Sequence, residues 1–416
     1  MQIVADVGGI PGKDCRGYCK YCYFRKVKPI EPLGCRYCSP NTVGCDRCGE
    51  GVCETGNEFK PSFLVMNEIQ TSLMMNQGLG KDFKVNISGG GDVSCYPNLE
   101  ELVAGINQFG LKSHLGYTSG KGIDDPEVAS RLLNLGVDEV TFTLFADDVG
   151  LRKEWVTDPT PEASLKSAQL FAESANLYAA CVIIPGVNDG EVLRKTCESL
   201  ENWGAKALLL MRFANTTEQG LILGNAPIID GVKTQSIEEF SSLVDEINKE
   251  YNLRVTGTPM GDPTINAPFI IARDGNEEYL QFLKEVTGEA TIITSKLAAP
   301  FISQVFKKIG ADSVNVIGTG KDIACLMTKE DFASVDLSNV KESVIIPGRA
   351  FVHDGVVEDI FSRDGVDRIV GRGPDTLSVD GELSSGMTDE EVIMDEIESF
   401  RDLIDAINFF GMRKQV

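Results

Sequence analysis

The chain is 416 residues long, enough for two domains, and 42% of it is hydrophobic, ample for their cores. Its 39 basic residues face 62 acidic ones, and the net charge of −23 excludes nucleic acid as a main partner, because phosphate binding needs a basic surface. No apolar run reaches membrane-spanning length, and the only histidines, His114 and His353, give little support to histidine-built metal chemistry or a serine triad.

A strand-like run, Gln2-Ile3-Val4-Ala5, opens the chain and is followed by Gly8-Gly9 and Pro11-Gly12. No apolar leader precedes it, so a cytoplasmic location with reduced thiols is expected. Eight of the 12 cysteines then fall between Cys15 and Cys53. Such density in a small secreted protein would mean disulfides; in a chain of this length without a leader it means metal. The first group is Cys15-Arg-Gly-Tyr-Cys19-Lys-Tyr-Cys22. It offers three thiolates to a cubane cluster whose fourth iron stays free of cysteine, whereas electron-transfer clusters usually have four cysteine ligands. The second group is Cys35-x2-Cys38, six residues, then Cys45-x2-Cys48, with Cys53 left over. Paired CxxC knuckles signal one tetrahedral ion, and sulfur donors alone do not choose between iron and zinc. A second [4Fe-4S] cluster using four of these five cysteines is the competing reading. Residues 31–60 lack periodicity, so this insert needs a metal to fix it.

From about 60 to 290 helix and strand patterns alternate. Helices are expected at 62–79, 98–109, 126–135, 163–175, 190–202, 235–250 and 277–287. Strands are expected at 84–88, 114–117, 140–145, 178–184, 207–211 and 253–256. This alternation predicts a parallel sheet, and six units without a dinucleotide fingerprint favour a full or partial (β/α) barrel over a doubly wound sheet. Chemistry in barrels gathers at the C-terminal ends of the strands. There the sequence places Gly89-Gly90-Gly91-Asp92 after Ser88, Tyr117-Thr118-Ser119-Gly120, Asp147-Asp148, Pro185-Gly186-Val187-Asn188 and Arg212-Phe213-Ala214-Asn215. Beyond about 288 the runs 291–294, 300–309, 313–318, 343–347 and 350–352 suggest a smaller α+β domain, closed by an acidic helix near 388–411. The expected layout is thus an α/β barrel over 1–30 and 61–287, an insert at 31–60 and a C-terminal domain at 288–416. Cys95, Cys181, Cys197 and Cys325 stand alone and are expected to be buried small hydrophobes.

Cys-x3-Cys-x2-Cys after a first strand, with Tyr21 just before Cys22, resembles the radical S-adenosylmethionine (SAM) enzymes. The resemblance implies a [4Fe-4S] cluster on Cys15, Cys19 and Cys22, SAM on the open iron, and a 5′-deoxyadenosyl radical. Gly89, Gly90 and Gly91 after Ser88 resemble that superfamily's glycine motif, whose bare backbone approaches the SAM ammonium. Val182-Ile183-Ile184-Pro185-Gly186 resembles its adenine-contacting strand, which brings Ile184 and Gly186 to the cofactor. Tyr117, and Thr141 or Thr143, are further cofactor candidates; the threonines are equally ordinary β-branched strand residues. Tyr23 is either an aromatic packed beside the cluster or a phenolate ligand to the open iron when SAM is absent.

The cysteine motif so close to the start, the cysteine-rich insert behind it and the separate C-terminal domain are together similar to the methanogenesis marker protein ten family. That resemblance implies a cobalamin-dependent enzyme that C-methylates the δ-carbon of an arginine in methyl-coenzyme M reductase. It further implies a low-potential electron donor, one SAM as radical source and a second as methyl source. Carboxylates pair best with a guanidinium, and Asp92, Asp147, Asp148 and Glu154 lie near predicted strand ends. The Asp-x-His-x-x-Gly signature of histidine-ligated cobalamin is missing, and His353 sits in Phe-Val-His-Asp-Gly. Cobalamin is therefore expected on the C-terminal domain without a histidine ligand, with Gly318 and Gly320 allowing a corrin to approach. Two alternatives remain: a radical SAM peptide maturase with an auxiliary cluster, and a metal-stabilised adaptor without catalysis.

Overall fold

The computed structural model describes residues 2–26, 58–75, 83–222, 224–374, 377–378 and 383–411. Cys35, Cys38, Cys45, Cys48 and Cys53 of the expected insert lie outside these residues. The chain forms two compact units. The first draws on Met1–Val27, Gly51–Phe213 and Ile228–Thr256, the second on Ala214–Pro227 and Gly257–Val416. Among the described residues no helix is long and apolar enough to cross a membrane.

In the first unit the strands β1 (Gln2–Asp6), β2 (Lys84–Ser88), β3 (Lys112–Thr118), β4 (Val137–Thr143), β5 (Asn176–Ile183), β6 (Ala207–Arg212) and β7 (Arg254–Thr258) lie side by side in chain order. The pairings from β1 to β6 are parallel, with Ala5 beside Ile87, Ile87 beside Leu115 and Val140 beside Leu177. Parallel neighbours need a crossover, and helices supply it: Ser62–Met75, Leu99–Gln108, Glu127–Asn134, Pro161–Ser174, Gly190–Trp203 and Ile237–Glu250. The result is the expected α/β architecture, a partial (β/α) barrel.

The strand sequences explain which face meets the helices. In β4, Val137, Val140 and Phe142 are buried while Glu139, Thr141 and Thr143 are only half-buried. The period of two puts the polar residues on the opposite face of the sheet. In β5 and β6 the burial is nearly continuous, from Ala179 to Ile183 and from Ala207 to Leu210, as expected of parallel strands covered on both sides. Local signals end the helices where the sequence places them. Ser236 and Glu239 form a reciprocal capping box at the start of Ile237–Glu250, and left-handed Gly204 closes Gly190–Trp203.

The second unit holds a four-stranded sheet in the order β11 (Ile369–Arg372), β10 (Ser343–Ile346), β8 (Ala290–Thr294), β9 (Val314–Gly318). Every pairing is parallel, so strands and helices alternate where the sequence suggested an α+β arrangement. Ile292 and Ile345 enter one core with Phe306, Phe400 and Ile404, while Ile293, Val344 and Ile346 enter another with Phe332 and Phe361. Alternate residues of a strand thus feed two cores, and helices cover both faces. Two expectations change. The run 350–352 contributes only an isolated bridge, Phe351 to Thr328, because the chain turns at Pro347-Gly348 and His353 then caps the helix Asp354–Phe361. The helix expected at 277–287 is a 3-10 segment, Glu277–Phe282.

Candidate active site

The loop after β1 carries Cys15, Cys19 and Cys22, all free and half-buried. Its shape is set by hydrogen bonds from its backbone N–H groups. Ile10 N–H donates to Asp14 Oδ2 (2.7 Å), Gly17 N–H to Gly12 O (2.8 Å) and Cys22 N–H to Cys19 O (3.1 Å). Gly12 has φ +79°, and a side chain there would strike the Tyr18 ring. The loop is pinned to the ends of other strands. Lys20 N–H donates to Trp155 O (2.8 Å), Thr157 Oγ1 to Tyr18 O (3.0 Å), and Arg16 Nη1 to Lys121 O (3.0 Å).

An aromatic ladder backs the loop. Tyr21 stacks on Phe145 (5.0 Å between centroids), Phe145 on Trp155 (6.0 Å), and the Lys20 ammonium lies 5.1 Å over Trp155. Phe145 is buried with φ +67°, a backbone state that non-glycine residues rarely hold. Tyr23, one residue beyond the last cysteine, turns the other way and stacks on Phe213 at 6.5 Å.

Burial pushes all three thiols up, Cys22 to about 12, and the neighbouring Cys19 and Cys15 push it the same way. A bound metal cation would offset this burial cost and favour the thiolates. Two further features fit a cluster. Tyr21 Oη is buried beside the Cys19 thiol, and the buried Lys121 ammonium sits 3.8 Å from Cys19 Sγ. Among the described residues no three His, Cys, Asp or Glu groups converge on one ion. A cubane does not ask for that, because each thiolate takes its own iron.

The glycine run meets the first loop face to face. A methyl at Gly89 would land on the Gly8 carbonyl oxygen, and one at Gly91 would press on Asp14 and Phe59. Glycine is needed here for close backbone approach. Ser88 O accepts from Val7 N–H (2.8 Å) and continues the β1–β2 ladder. Asp92 is 8% exposed and takes Ser94 N–H (2.9 Å), Ser94 Oγ (2.6 Å), Thr118 Oγ1 (3.0 Å), Ser119 N–H (3.0 Å) and Ser119 Oγ. Five donors engage this carboxylate in tying β2 to β3.

The remaining candidates are spread over the strand ends. Thr141 Oγ1 bonds His114 Nε2 (2.8 Å) on the polar face of the sheet, and the Thr143 carbonyl accepts from Arg152 Nη1 (3.3 Å). Burial holds the His114 imidazole down to about 4. Tyr117 is 40% exposed. Asp147 accepts from Ser199 Oγ, Asp148 Oδ1 caps Leu151 N–H (2.7 Å), and Glu154 pairs with Lys20 (2.7 Å) on the surface. Ile184 is fully buried with its N–H on Asn188 Oδ1 (2.7 Å), and Gly186 takes φ +77°. In the second unit Gly318 packs on Ala299 and Lys296, while Gly320 has open space around its α-carbon. His353 Nδ1 accepts from Gly355 N–H (3.1 Å) as a helix cap. Cys181 and Cys197 are buried, whereas Cys95 and Cys325 are half-exposed.

Sequence reasoning passed over Lys121, Phe145, Arg152, Asp158 and the role of Asn188. Arg152 is wholly buried and bonds Asp158 (2.6 Å), Leu144 O (2.5 Å) and Ser119 O (2.5 Å), which joins the ends of β3 and β4. Asn188 Nδ2 donates to Phe145 O (2.9 Å) and Val182 O (2.8 Å), which fixes the end of β5. Neither carries a local sequence signature.

Residues 10–195 match the family model of the radical SAM superfamily. This segment is a radical SAM domain. Such a domain implies a [4Fe-4S] cluster and SAM, and it contains the three-cysteine loop, the glycine run and the end of β5. No curated protein matches the chain. Among solved structures, the chain is similar to Streptococcus suis SuiB bound to precursor peptide SuiA, at 13% identity, TM-score 0.43, 65% of this chain and 50% of that one. The chain therefore spans half the length of that structure. Methylornithine synthase (PylB) is similar at 12% identity and TM-score 0.38, covering 61% and 64%. A radical SAM methyltransferase from Sphaerobacter thermophilus is similar at 14% identity and TM-score 0.36, covering 52% and 62%.

Proposed function

We propose that the protein is a cobalamin-dependent radical SAM methyltransferase that adds a methyl group to the δ-carbon of an arginine in methyl-coenzyme M reductase. The observation that carries the reading is the Cys15, Cys19, Cys22 loop, buried against an aromatic ladder at the C-terminal ends of the strands. When bound, the cluster and SAM supply a carbon radical by one-electron cleavage of the sulfonium, and methylcobalamin supplies the methyl group.

The chain's own residues position and exclude. The ladder of Tyr21, Phe145 and Trp155 keeps water from one side of the cluster loop. Gly89, Gly90 and Gly91 offer bare backbone to the SAM amino group, and Thr143 and the Ile184-to-Gly186 turn line the nucleoside end. Tyr23 stacks on Phe213 and would have to leave that ring to serve as a ligand to the open iron. Asp147, Asp148 and Glu154, all in the segment after β4, are the carboxylates that would meet a guanidinium, each giving up a present contact to Ser199, Leu151 N–H or Lys20. Asp92 is the least accessible of the four carboxylates, being 8% exposed and holding five donors.

In this reading Cys35, Cys38, Cys45 and Cys48 hold one iron or zinc, and the second unit binds cobalamin. Gly320, just past a parallel strand, leaves room for a ligand to approach the backbone. The engagement of His353 as a helix cap agrees with a cobalt that takes no histidine. The test is mass spectrometry of an arginine peptide incubated with reconstituted protein, SAM, cobalamin and a low-potential reductant. A gain of one methyl on the arginine side chain is expected. Cobalt-free protein and unmodified peptide would favour a peptide maturase.

A further inference from the structure

The Lys121 side chain is 1% exposed, in the loop that follows β3. Its ammonium has three N–H donors and three acceptors within reach: Gly17 O at 2.7 Å, Val156 O at 3.1 Å and Cys19 Sγ at 3.8 Å. All three belong to the cysteine loop or to the segment that clamps it. Among the described residues no carboxylate lies within ion-pair distance of Lys121.

Its neighbour Arg152 shows how this fold treats a buried cation when the protein itself supplies the counter-charge. Arg152 meets Asp158 at 2.6 Å, and neither side chain is exposed. Buried charges are paired or lie against a metal centre, because an isolated ion loses its hydration without compensation. Lys121 has two carbonyl dipoles and a sulfur, and lacks the anion. Three thiolates around a [4Fe-4S] core give the cluster a net negative charge, which grows by one on reduction.

We propose that Lys121 is the buried counter-cation of the cluster held by Cys15, Cys19 and Cys22, and that it favours the reduced cluster. The proposal rests on the radical SAM reading of the three cysteines and not on the cobalamin or arginine assignments. The step concerned is a single electron passing from an external low-potential donor to the oxidised cluster, with no proton and no bond made or broken. A fixed positive charge beside Cys19 stabilises the product of that step more than its starting state, since the product carries one more negative charge. Burial keeps solvent and salt from screening the interaction. Lys121 meets Cys19 Sγ and two carbonyls, so it is a positioning residue that acts through the cluster's potential.

The experiment is an EPR-monitored redox titration of the anaerobically loaded full chain, with iron and sulfide counted, for wild type, Lys121→Gln and Lys121→Arg. Gln keeps a hydrogen-bond donor and removes the charge; Arg keeps the charge. With the cluster loaded, Lys121→Gln is expected to lower the reduced-to-oxidised ratio at fixed potential at least tenfold. That is a midpoint about 59 mV more negative for one electron. Lys121→Arg is expected to stay within about threefold of wild type, or about 28 mV. A fully loaded Lys121→Gln protein with the wild-type midpoint overturns the proposal. If Lys121→Gln does not load, the melting of the cluster-free proteins decides. A variant that melts at or above cluster-free wild type supports the proposal, because the uncompensated ammonium has been removed. A variant that melts lower overturns it, and makes Lys121 a strut for the Gly17 and Val156 carbonyls. Wild type that takes up no iron and sulfide removes the radical SAM reading itself, an outcome distinct from an unchanged midpoint.

Discussion

Arg152 and Asp158 meet at 2.6 Å in a place that solvent does not reach, and the guanidinium also holds the carbonyls of Ser119 and Leu144. One ion pair thus ties the ends of β3 and β4 to the segment that anchors the cysteine loop. Removing one member leaves the other charge buried and alone. Asp158→Ala is expected to lose about 3–5 kcal/mol of stability, read from the denaturation midpoint. Loss of less than about 1 kcal/mol would mean that Arg152 finds another anion or water.

Asn188 satisfies three backbone groups, Ile184 N–H, Phe145 O and Val182 O, at a point where Phe145 already has φ +67°. Asn188→Ala leaves these buried groups unpaired. A stability loss of about 1–3 kcal/mol is expected, together with weaker SAM binding by calorimetry. Unchanged SAM affinity would detach the end of β5 from the cofactor.

Gly89 faces the Gly8 carbonyl so closely that a methyl has no room. Gly89→Ala forces backbone to move on one side or the other, which costs about 1–3 kcal/mol. The shift occurs beside the cysteine loop, so the variant is expected to load less iron and sulfide than wild type under equal conditions. Gly320→Ala meets open space and is expected to leave stability unchanged.

Glu396 is buried in the second unit, where its carboxylate accepts Ile270 N–H and Ile271 N–H, both at 3.0 Å. Burial pushes it up from 4.5 to about 7, against the pull of those two hydrogen bonds. The folded state therefore holds this proton more tightly than the unfolded chain. The stability it contributes is full below about pH 4.5 and is lost as pH rises through about 7. Glu396→Gln removes the titration, so wild type should lose more stability than the variant between pH 5 and pH 8 in denaturant melts. Parallel pH profiles would contradict this.

The sequence was most readable where pattern repeats. Strand β2 falls on residues 84–88 as expected, because Val85 and Ile87 alternate with polar neighbours in front of a glycine run. The helix Gly190–Trp203 differs from its expected range by one residue, since Gly204 stops it. Residues 350–352 misled because an apolar triplet reads as strand, while Pro347-Gly348 and the His353 cap bend the chain away. The cysteines and glycines of the site were visible because their spacing is local. Lys121, Arg152 and Asn188 were not, because each acts across strand ends, and nothing in a single sequence distinguishes a buried lysine from a solvated one. The surroundings of Asp92 were illegible for the same reason: its five donors come from Ser94, Thr118 and Ser119, and the last two lie on another strand's end.

The most direct measurement is the release of 5′-deoxyadenosine from SAM by anaerobically loaded protein with a low-potential reductant, beside a Cys22→Ala variant. Wild type is expected to release it and Cys22→Ala to release none. A loaded wild-type protein that leaves SAM intact, or a Cys22→Ala variant that cleaves it equally well, would contradict the assignment of Cys15, Cys19 and Cys22 to a SAM-cleaving cluster.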